Sequence, residues 1–251
     1  MKLQVDLNAD LGEGSGHDNE LFELISSANI ATGFHAGDSD TMHTAVSVAK
    51  KHGVAVGAHP SFFDRENFGR KELTISNREV FDAVAYQLGI FQAIASALDV
   101  RPNHVKPHGA LYNMAVRDAD LATAIARAIK SVDPKLILFA PDNSELARAG
   151  EAHGVQIARE IFADRNYLND GWLVPRTLPD ALLRDPKEAA ERVLRMLREG
   201  KVRSVAGRDV DVRGETICVH GDTPGAVEFA RELRVQLERE GVRISAPKNL
   251  Q

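Results

Sequence analysis

The sequence predicts an α/β fold, an irregular (β/α)7 TIM-like barrel, and two observations lead to that prediction. Short apolar stretches alternate with amphipathic helical stretches seven times along the 251 residues, a pattern that calls for a parallel sheet with helical crossovers. Ionisable side chains lie at or just after the end of six of the seven predicted strands. A barrel brings all strand ends to one face, whereas an open sheet spreads them along an edge. We therefore expect a single barrel domain over residues 1–251, with a site at that face.

Composition narrows the class of protein. The net charge of -5 lacks the basic footprint of a nucleic-acid-binding protein. The sequence has no run approaching the ~18 apolar residues of a membrane span, and its N-terminus lacks a signal-peptide pattern. The single cysteine, Cys218, excludes an intrachain disulfide and a cysteine-cluster metal site. We expect a cytoplasmic protein with neither nucleic-acid nor membrane partners.

The chain begins with a strand and a glycine-rich loop. Residues 3–8 alternate apolar and polar side chains, and they lead into a loop that carries Asp10 and Glu13. The glycine spacing in this loop is not that of a dinucleotide site, and the sequence contains no phosphate-binding Gly-x4-Gly-Lys motif. We expect no nucleotide-binding loop in this chain.

The second and third predicted strands end in histidines. Residues 29–35 end at His35, and residues 54–60 contain His59. Between them Asp38 is one candidate N-cap for a helix that runs to residue 52. The aromatic loop of residues 60–76 is long, and loops of this length are often functional.

The fourth strand carries two groups suited to catalysis. Lys106 and His108 are two residues apart, and such residues of a strand share a face. Lysine is rarely buried without a partner, because its charge is costly to desolvate. We expect both side chains to enter the same space.

The rest of the chain continues the alternation. Glu160 lies near the end of the sixth strand, and Asp164 and Arg165 follow it; His220 and Asp222 end the seventh. The other predicted elements are helices at 19–27, 76–98, 118–131, 142–153, 186–200 and 224–241, a fifth strand at 136–140, a hairpin at 201–215 and a last short strand at 242–245.

Six ordered motifs give the chain a family resemblance. They are Asn8-x-Asp-Leu-Gly-Glu-Gly14, Asn29-Ile-Ala-x-Gly-Phe-His-Ala-Gly-Asp38, Gly57-Ala-His-Pro60, Val105-Lys-Pro-His-Gly-Ala-Leu-Tyr-Asn113, Phe162-Ala-Asp-Arg-x-Tyr167 and Ile217-Cys-Val-His-Gly-Asp-Thr223. Together they resemble the LamB/YcsF family over nearly the whole chain. The resemblance implies a barrel related to glycoside hydrolases and polysaccharide deacetylases. It also implies ATP-dependent opening of 5-oxoproline to glutamate, in complex with 5-oxoprolinase subunits B and C.

Two positions depart from the family pattern. This chain has Ala9 and Thr32 where the family often has cysteine. Neither cysteine can therefore be an obligatory nucleophile of the reaction. Cys218 is expected to be an inert core residue, whereas Tyr167 and Trp172 could belong to the core or to a lid.

The chemistry of ring opening suggests roles for the strand-end residues. Lys106 is the expected cation for a substrate carboxylate or developing negative charge, and its replacement by Met should abolish turnover without unfolding the chain. His59 and His108 are the expected acid and base, oriented by Asp6, Asp10, Glu13 or Glu160. Further expected substrate contacts are Asn8, His35, Asp38, Glu160, Asp164, Arg165, His220 and Asp222. ATP, with Mg²⁺, is expected largely on the partner subunits or at a shared interface.

Two other functions remain open at this point. In the first, His35, His59, His108 and His220 hold a divalent metal with Asp6 or Asp10, and the chain is a deacetylase or amidohydrolase acting alone. In the second, the chain binds a sugar or lactam without turning it over. A barrel mouth with this many ionisable groups is a costly way to build a binding protein, so the second is the weaker.

Overall fold

A closed parallel barrel forms the centre of the computed structural model, which describes residues 3–219 and 225–249. The strands are, in chain order, β1 (Gln4–Leu11), β2 (Ser27–Ala31), β3 (Ala55–His59), β4 (His104–Val105), β5 (Ile137–Ala140), β6 (Gln156–Phe162), β7 (Lys201–Arg203), β8 (Asp209–Asp211), β9 (Thr216–Val219) and β10 (Arg243–Ile244). Strands β1 to β6 pair in sequence, β6 pairs with β9, and β9 pairs back with β1. This closure confirms the predicted (β/α)7 barrel.

The remaining strands lie outside the ring. β7 and β8 form the expected antiparallel hairpin, and β10 adds to β1 in parallel. The helices are α1 (Asp18–Phe22), α2 (Ser39–His52), α3 (Asn77–Ala97), α4 (Gly109–Ala115), α5 (Ala119–Val132), α6 (Glu145–Ala152), α7 (Pro186–Glu199) and α8 (Ala226–Arg239).

Local sequence signals account for several helix ends. Gly53 ends α2 at φ 67°, a left-handed conformation that glycine adopts without steric cost. Ser76 and Glu79 form the predicted capping box at the start of α3, and Asp185 caps α7 ahead of Pro186. The elements that these residues begin or end therefore match the sequence expectation closely.

Three elements differ from the expectation. The helix predicted at 19–27 is α1, which ends at Phe22. The short helix α4 was not predicted. The predicted second strand of residues 29–35 is instead Ser27–Ala31, because Ser26 and Ser27 donate hydrogen bonds to Asp6 Oδ1 at 2.6 and 2.8 Å. The observed strand therefore begins and ends earlier in the chain than predicted. The contacts with β1 that favour this position cannot be read from the local sequence.

Helix α3 bears on the sequence argument against a membrane span. By length and mean hydropathy alone it could cross a membrane, although only a third of its 18-residue window is buried. Core helices of globular proteins meet the same criterion, and α3 packs Val84, Leu88 and Phe91 into the hydrophobic core. The criterion is therefore weak evidence for a membrane span.

The interior of the barrel is polar, and the main hydrophobic core lies between strands and helices. On β1, Val5, Leu7 and Ala9 are buried in that core, while Asn8 and Asp10 hydrogen-bond with groups across the barrel. This alternation, with period two, follows from strand geometry.

A histidine ring fills part of the interior. A Cβ atom on Gly57 would collide with the His104 ring, so this position of β3 requires glycine. His104 bonds to Asn29 Oδ1 at 2.8 Å and stacks on Phe139 with 4.2 Å between ring centroids. The polar interior is thus closely packed up to the level of the site.

Candidate active site

A buried lysine joins three barrel strands at the carboxyl-terminal face. Lys106, which follows β4, is 3% exposed. Its Nζ lies 2.9 Å from Asp10 Oδ1, 3.1 Å from Glu160 Oε1 and 3.0 Å from Cys218 Sγ. We call these four residues the lysine network. They come from β1, β6 and β9 as well as the segment after β4, so barrel closure assembles the network.

Neutral side chains complete the hydrogen bonding of Glu160. Tyr112 on α4 donates its hydroxyl proton to Glu160 Oε2 at 2.6 Å. Asn8 Nδ2 donates to Glu160 Oε1 at 3.2 Å and to Thr216 Oγ1 at 2.7 Å. A buried carboxylate needs such partners, because an unpaired buried charge is costly.

The lysine network fixes the charge of its cation. Burial favours the neutral amine, but the charges of Asp10 and Glu160, together with the hydrogen bond to Cys218 Sγ, outweigh it and hold the pKa of Lys106 well above its ordinary value. Burial raises the pKa of the Cys218 thiol well above its ordinary value. At neutral pH the lysine is therefore a fixed positive charge rather than a base, and Cys218 is a thiol rather than a nucleophilic thiolate.

A second group of ionisable side chains lies beside the first. Glu13 Oε1 is 3.0 Å from His35 Nε2, 3.1 Å from His108 Nδ1 and 3.5 Å from His59 Nε2. His59 Nε2 and His108 Nδ1 are 2.9 Å apart. We call Glu13, His35, His59 and His108 the histidine cluster. Asp10 connects the two groups, with Oδ2 3.5 Å from His59 Nε2.

The members of the histidine cluster differ in proton affinity. Burial opposes the charged form of His59, but Asp10 and Glu13 raise its pKa overall. Burial lowers the pKa of His35 to about 4 and also lowers that of His108. Burial alone would raise the pKa of Glu13, but its contacts with the His108 and His35 rings lower it. A spread of this kind within one cluster is typical of acid–base sites.

The loop of residues 60–76 closes over the histidines. Phe68 has φ 55°, a left-handed conformation unusual for an aromatic residue, and its carbonyl oxygen lies 2.9 Å from His108 Nε2. A Cβ atom on Gly69 would lie within 3.0 Å of both His35 and His108. The Gly69 carbonyl also accepts a hydrogen bond from Ala110 at the start of α4. This predicted long loop therefore positions catalytic candidates, as its length suggested.

A cavity of about 520 Å³ opens above both groups. Asp10, Glu13, His59, Lys106 and His108 lie at its base, as the i, i+2 spacing of Lys106 and His108 indicated. Guanidinium groups also line it, from Arg70, Arg117, Arg165 and Arg176. The cavity thus offers positive charge for an anionic ligand next to acid–base groups, and its size is in the usual range for small-molecule sites.

Asp6 lies deeper in the barrel than the other candidates. It accepts hydrogen bonds from Ser26 and Ser27 at Oδ1 and from Thr216 at Oδ2, and it does not line the cavity. Burial raises the pKa of Asp6 to about 6. It reaches the site through Thr216 and Asn8, so it is a positioning residue rather than one that touches a ligand.

The predicted substrate contacts divide into several groups. Asp38 is an exposed N-cap whose Oδ1 accepts a hydrogen bond from Thr41 N, so it belongs to α2 and not to the mouth. Asp164 is buried but lines a different cavity, whereas Arg165 lines the mouth. The remaining two, His220 and Asp222, lie outside the described residues.

Several site features were missed by sequence reasoning. Tyr112 belongs to a quoted motif, yet only the three-dimensional contact with Glu160 marks it. Cys218 is buried as expected, but its contact with Lys106 was not foreseen. Trp172 lines the mouth with Arg117 over its ring at 5.5 Å, while Tyr167 is a core residue that accepts a hydrogen bond from Phe162 N.

The fold and the site define a (β/α) barrel with a buried acid–base centre at its strand ends. The model of the LamB/YcsF family matches residues 5–251, and this chain belongs to that family. A relative from Oceanobacillus iheyensis, named as the A subunit of 5-oxoprolinase, is 48% identical over 249 residues, covering 97% of each chain. That name marks the relative as one component of a larger enzyme.

Solved structures agree with this assignment. The lactam utilization protein from Thermus thermophilus has a TM-score of 0.92 and 46% identity, covering 98% of this chain and 100% of its own. The peptidoglycan deacetylase PdaC from Bacillus subtilis has a TM-score of 0.50 and 14% identity, covering 98% of this chain and 88% of its own. The second likeness concerns the fold alone.

Proposed function

We propose that this chain is the A subunit of an ATP-dependent 5-oxoprolinase, an enzyme that opens the 5-oxoproline lactam to glutamate. The names of relatives 46–48% identical over nearly the whole chain support this. The observation that carries the proposal is the cationic Lys106, held beside His59 and His108 at the base of the arginine-lined cavity. The partners are subunits B and C, and the compartment is the cytoplasm.

The lactam itself sets the chemical problem. Amide resonance makes its carbonyl a poor electrophile and its nitrogen a poor leaving group. Phosphorylation of the amide oxygen by ATP weakens that resonance. Water then adds to the activated carbon, and the bond from carbon to ring nitrogen breaks as the nitrogen takes a proton. A second water cleaves the resulting acyl phosphate to glutamate and phosphate.

The site residues fit the steps that follow activation. The raised pKa of Lys106 keeps it protonated, so it can stabilise negative charge on the oxygen or phosphate. His59 and His108 can exchange protons with the attacking water and the ring nitrogen. The arginines of the mouth suit the substrate carboxylate, since guanidinium groups bind carboxylates through paired hydrogen bonds.

The site of ATP and its Mg²⁺ belongs, in this proposal, largely to subunits B and C or to their interface with this chain. The chain's sequence has no phosphate-binding motif of the kinds considered above. Ala9 and Thr32, the positions where the family often has cysteine, do not line the mouth cavity. The mechanism therefore proceeds without a cysteine nucleophile at either position.

The deciding experiment measures glutamate release from 5-oxoproline by this chain alone and with subunits B and C, with ATP present or absent. We expect glutamate only from the complete mixture with ATP. Failure of a mixture that has been shown to assemble would contradict the proposal. A screen of acetylated sugars and small amides would then test the deacetylase alternative, which no observation above favours.

A further inference from the structure

The histidine cluster has the arrangement of a metal site. One donor atom from each of Glu13, His35, His59 and His108 lies within 4.8 Å of the others. The three histidines are almost completely buried, and three members of the cluster line the mouth cavity. A ligand held there would thus be enclosed on the barrel side and reachable from the mouth.

The outer nitrogens of two rings are fixed by backbone carbonyls. His59 Nδ1 lies 2.6 Å from the carbonyl oxygen of Lys106, and His108 Nε2 lies 2.9 Å from that of Phe68. A carbonyl oxygen can only accept a hydrogen bond, so both outer nitrogens carry a proton. In the neutral rings, His59 Nε2 and His108 Nδ1 therefore carry lone pairs.

These two lone pairs point toward each other. The atoms that carry them are 2.9 Å apart, and Glu13 Oε1, a third acceptor, is 3.1 Å from His108 Nδ1. Three acceptors cannot remain this close unless a cation or a proton lies among them. Histidines that ligate metals have this same feature, in which the second ring nitrogen donates to a carbonyl and fixes the ring.

The separations suit a small divalent ion. Bonds of about 2.0–2.2 Å in a tetrahedral site place neighbouring donors roughly 3.3–3.6 Å apart. The separations among Glu13, His59 and His108 run from 2.9 to 3.5 Å, and all four donor atoms of the cluster lie within 4.8 Å of one another. Shifts of about half an ångström would bring Glu13, His59 and His108 into tetrahedral range, whereas the His35 ring, which stacks on His108 with 3.8 Å between ring centroids, would also have to turn.

We propose that Glu13, His35, His59 and His108 form a binding site for one divalent transition-metal ion, with zinc as the closest chemical match. Three imidazoles and one carboxylate form a donor set that zinc and its neighbours prefer, whereas magnesium and calcium prefer oxygen donors. Such an ion would supply Lewis-acid chemistry on gaining a fifth ligand from the mouth, and it would replace proton transfer by His59 and His108, whose ring nitrogens would then be occupied. Lys106 and Asp10 lie next to it. The site is separate from the Mg²⁺ that accompanies ATP.

The test uses Co²⁺ as a probe of the full-length chain, prepared with a chelator and without a polyhistidine tag. Tetrahedral Co²⁺ absorbs visible light strongly, so a titration reports stoichiometry and geometry without any assay of turnover. Calorimetry with Zn²⁺ supplies the affinity. We expect one ion per chain, with affinity at least 10-fold weaker in Glu13→Gln and in His35→Gln.

The matched control is His52→Gln, which makes the same chemical change at an exposed histidine on α2. Circular dichroism verifies that each variant is folded. Because two cluster variants are made, the test still decides the question if one of them fails to fold. Absence of a stoichiometric ion at micromolar metal would overturn the proposal, as would affinity equal in the control and both cluster variants. Either result would assign the cluster a shared proton instead, and it would leave the 5-oxoproline proposal untouched, because that is tested by glutamate release.

Discussion

The lysine network and the histidine cluster share Asp10 as a neighbour, yet they are built differently. In the lysine network a cation sits between two carboxylates, and Glu160 has further donors in Asn8 and Tyr112. In the histidine cluster the outer nitrogens of two rings are fixed while the inner atoms face one another. In the first arrangement a cation already lies between the acceptors, whereas the inner atoms of the second need a proton or an ion among them. We infer that the first holds charge constant and the second changes its state during the reaction.

The largest expected effect comes from breaking the lysine network. Lys106→Met should reduce glutamate release by the complete enzyme at least about 10³-fold. It leaves Asp10 and Glu160 buried without their cation, so the free energy of unfolding should also fall, by about 3–5 kcal/mol. The structure thus makes loss of stability part of the expected result, unlike the prediction from sequence alone. Glutamate assays and urea unfolding measure the two effects.

A second variant separates the two losses. Adding Glu160→Gln to Lys106→Met removes one of the uncompensated charges and should recover part of the stability, but none of the activity. Recovery of both would show that Lys106 acts only through folding, and its proposed role would then be dropped.

The histidine cluster should show the opposite balance. His108→Gln should lower kcat by about 10²–10⁴-fold, because the ring takes part in proton transfer or holds the group that does. The ring lies at the start of α4 and under a loop, so the free energy of unfolding should fall by no more than about 2 kcal/mol. The exposed His52→Gln serves again as the control. Unchanged kcat combined with a large loss of stability would show that His108 serves the fold and not the reaction, contrary to the contrast drawn between the two groups.

The last expected effect is a pH dependence of stability, and it concerns Asp6, which lies beneath both groups. The pKa of Asp6 is raised from 3.8 to about 6, so its favourable contribution to stability is complete below about pH 4 and lost as pH rises through about 6. Two pKa units correspond to about 3 kcal/mol. As pH rises from 4 to 7, the free energy of unfolding of Asp6→Asn should therefore increase by about 3 kcal/mol relative to that of the wild type.

Urea unfolding of both proteins at the two pH values measures this change. A difference in unfolding free energy that does not vary with pH would show that Asp6 titrates normally. Asp6 would then have access to solvent, and the deep layer would not be the closed polar core described above.

Strand-end position was a good guide to the site, because a barrel brings those ends together whatever the loops do. It correctly placed Asp10, His59, Lys106 and His108 around one cavity. It wrongly placed Asp38 with the ligand-facing residues, although the Asp38 side chain accepts a hydrogen bond from a backbone N–H in the first turn of α2. A carboxylate that caps a helix and one that faces a ligand look the same in sequence.

Other features were beyond prediction because they depend on contacts across the barrel. Tyr112 bonds to Glu160, 48 positions away, and Lys106 contacts Cys218, 112 positions away. The left-handed Phe68 has no sequence signal either, since aromatic residues rarely adopt that conformation. Each of these requires the closed barrel before it can be recognised.

Closure of the barrel also has a consequence for how the chain folds. β1 is the first strand to leave the ribosome, but it pairs with β9, and the hydrogen bond from Thr216 to Asp6 spans 210 positions. Until β9 emerges, one edge of β1 has no partner, and exposed edges invite association with other chains. Contacts this distant in sequence form slowly. The active site is therefore among the last parts of the molecule to form, and a chain that ends before residue 216 lacks the strand that closes it.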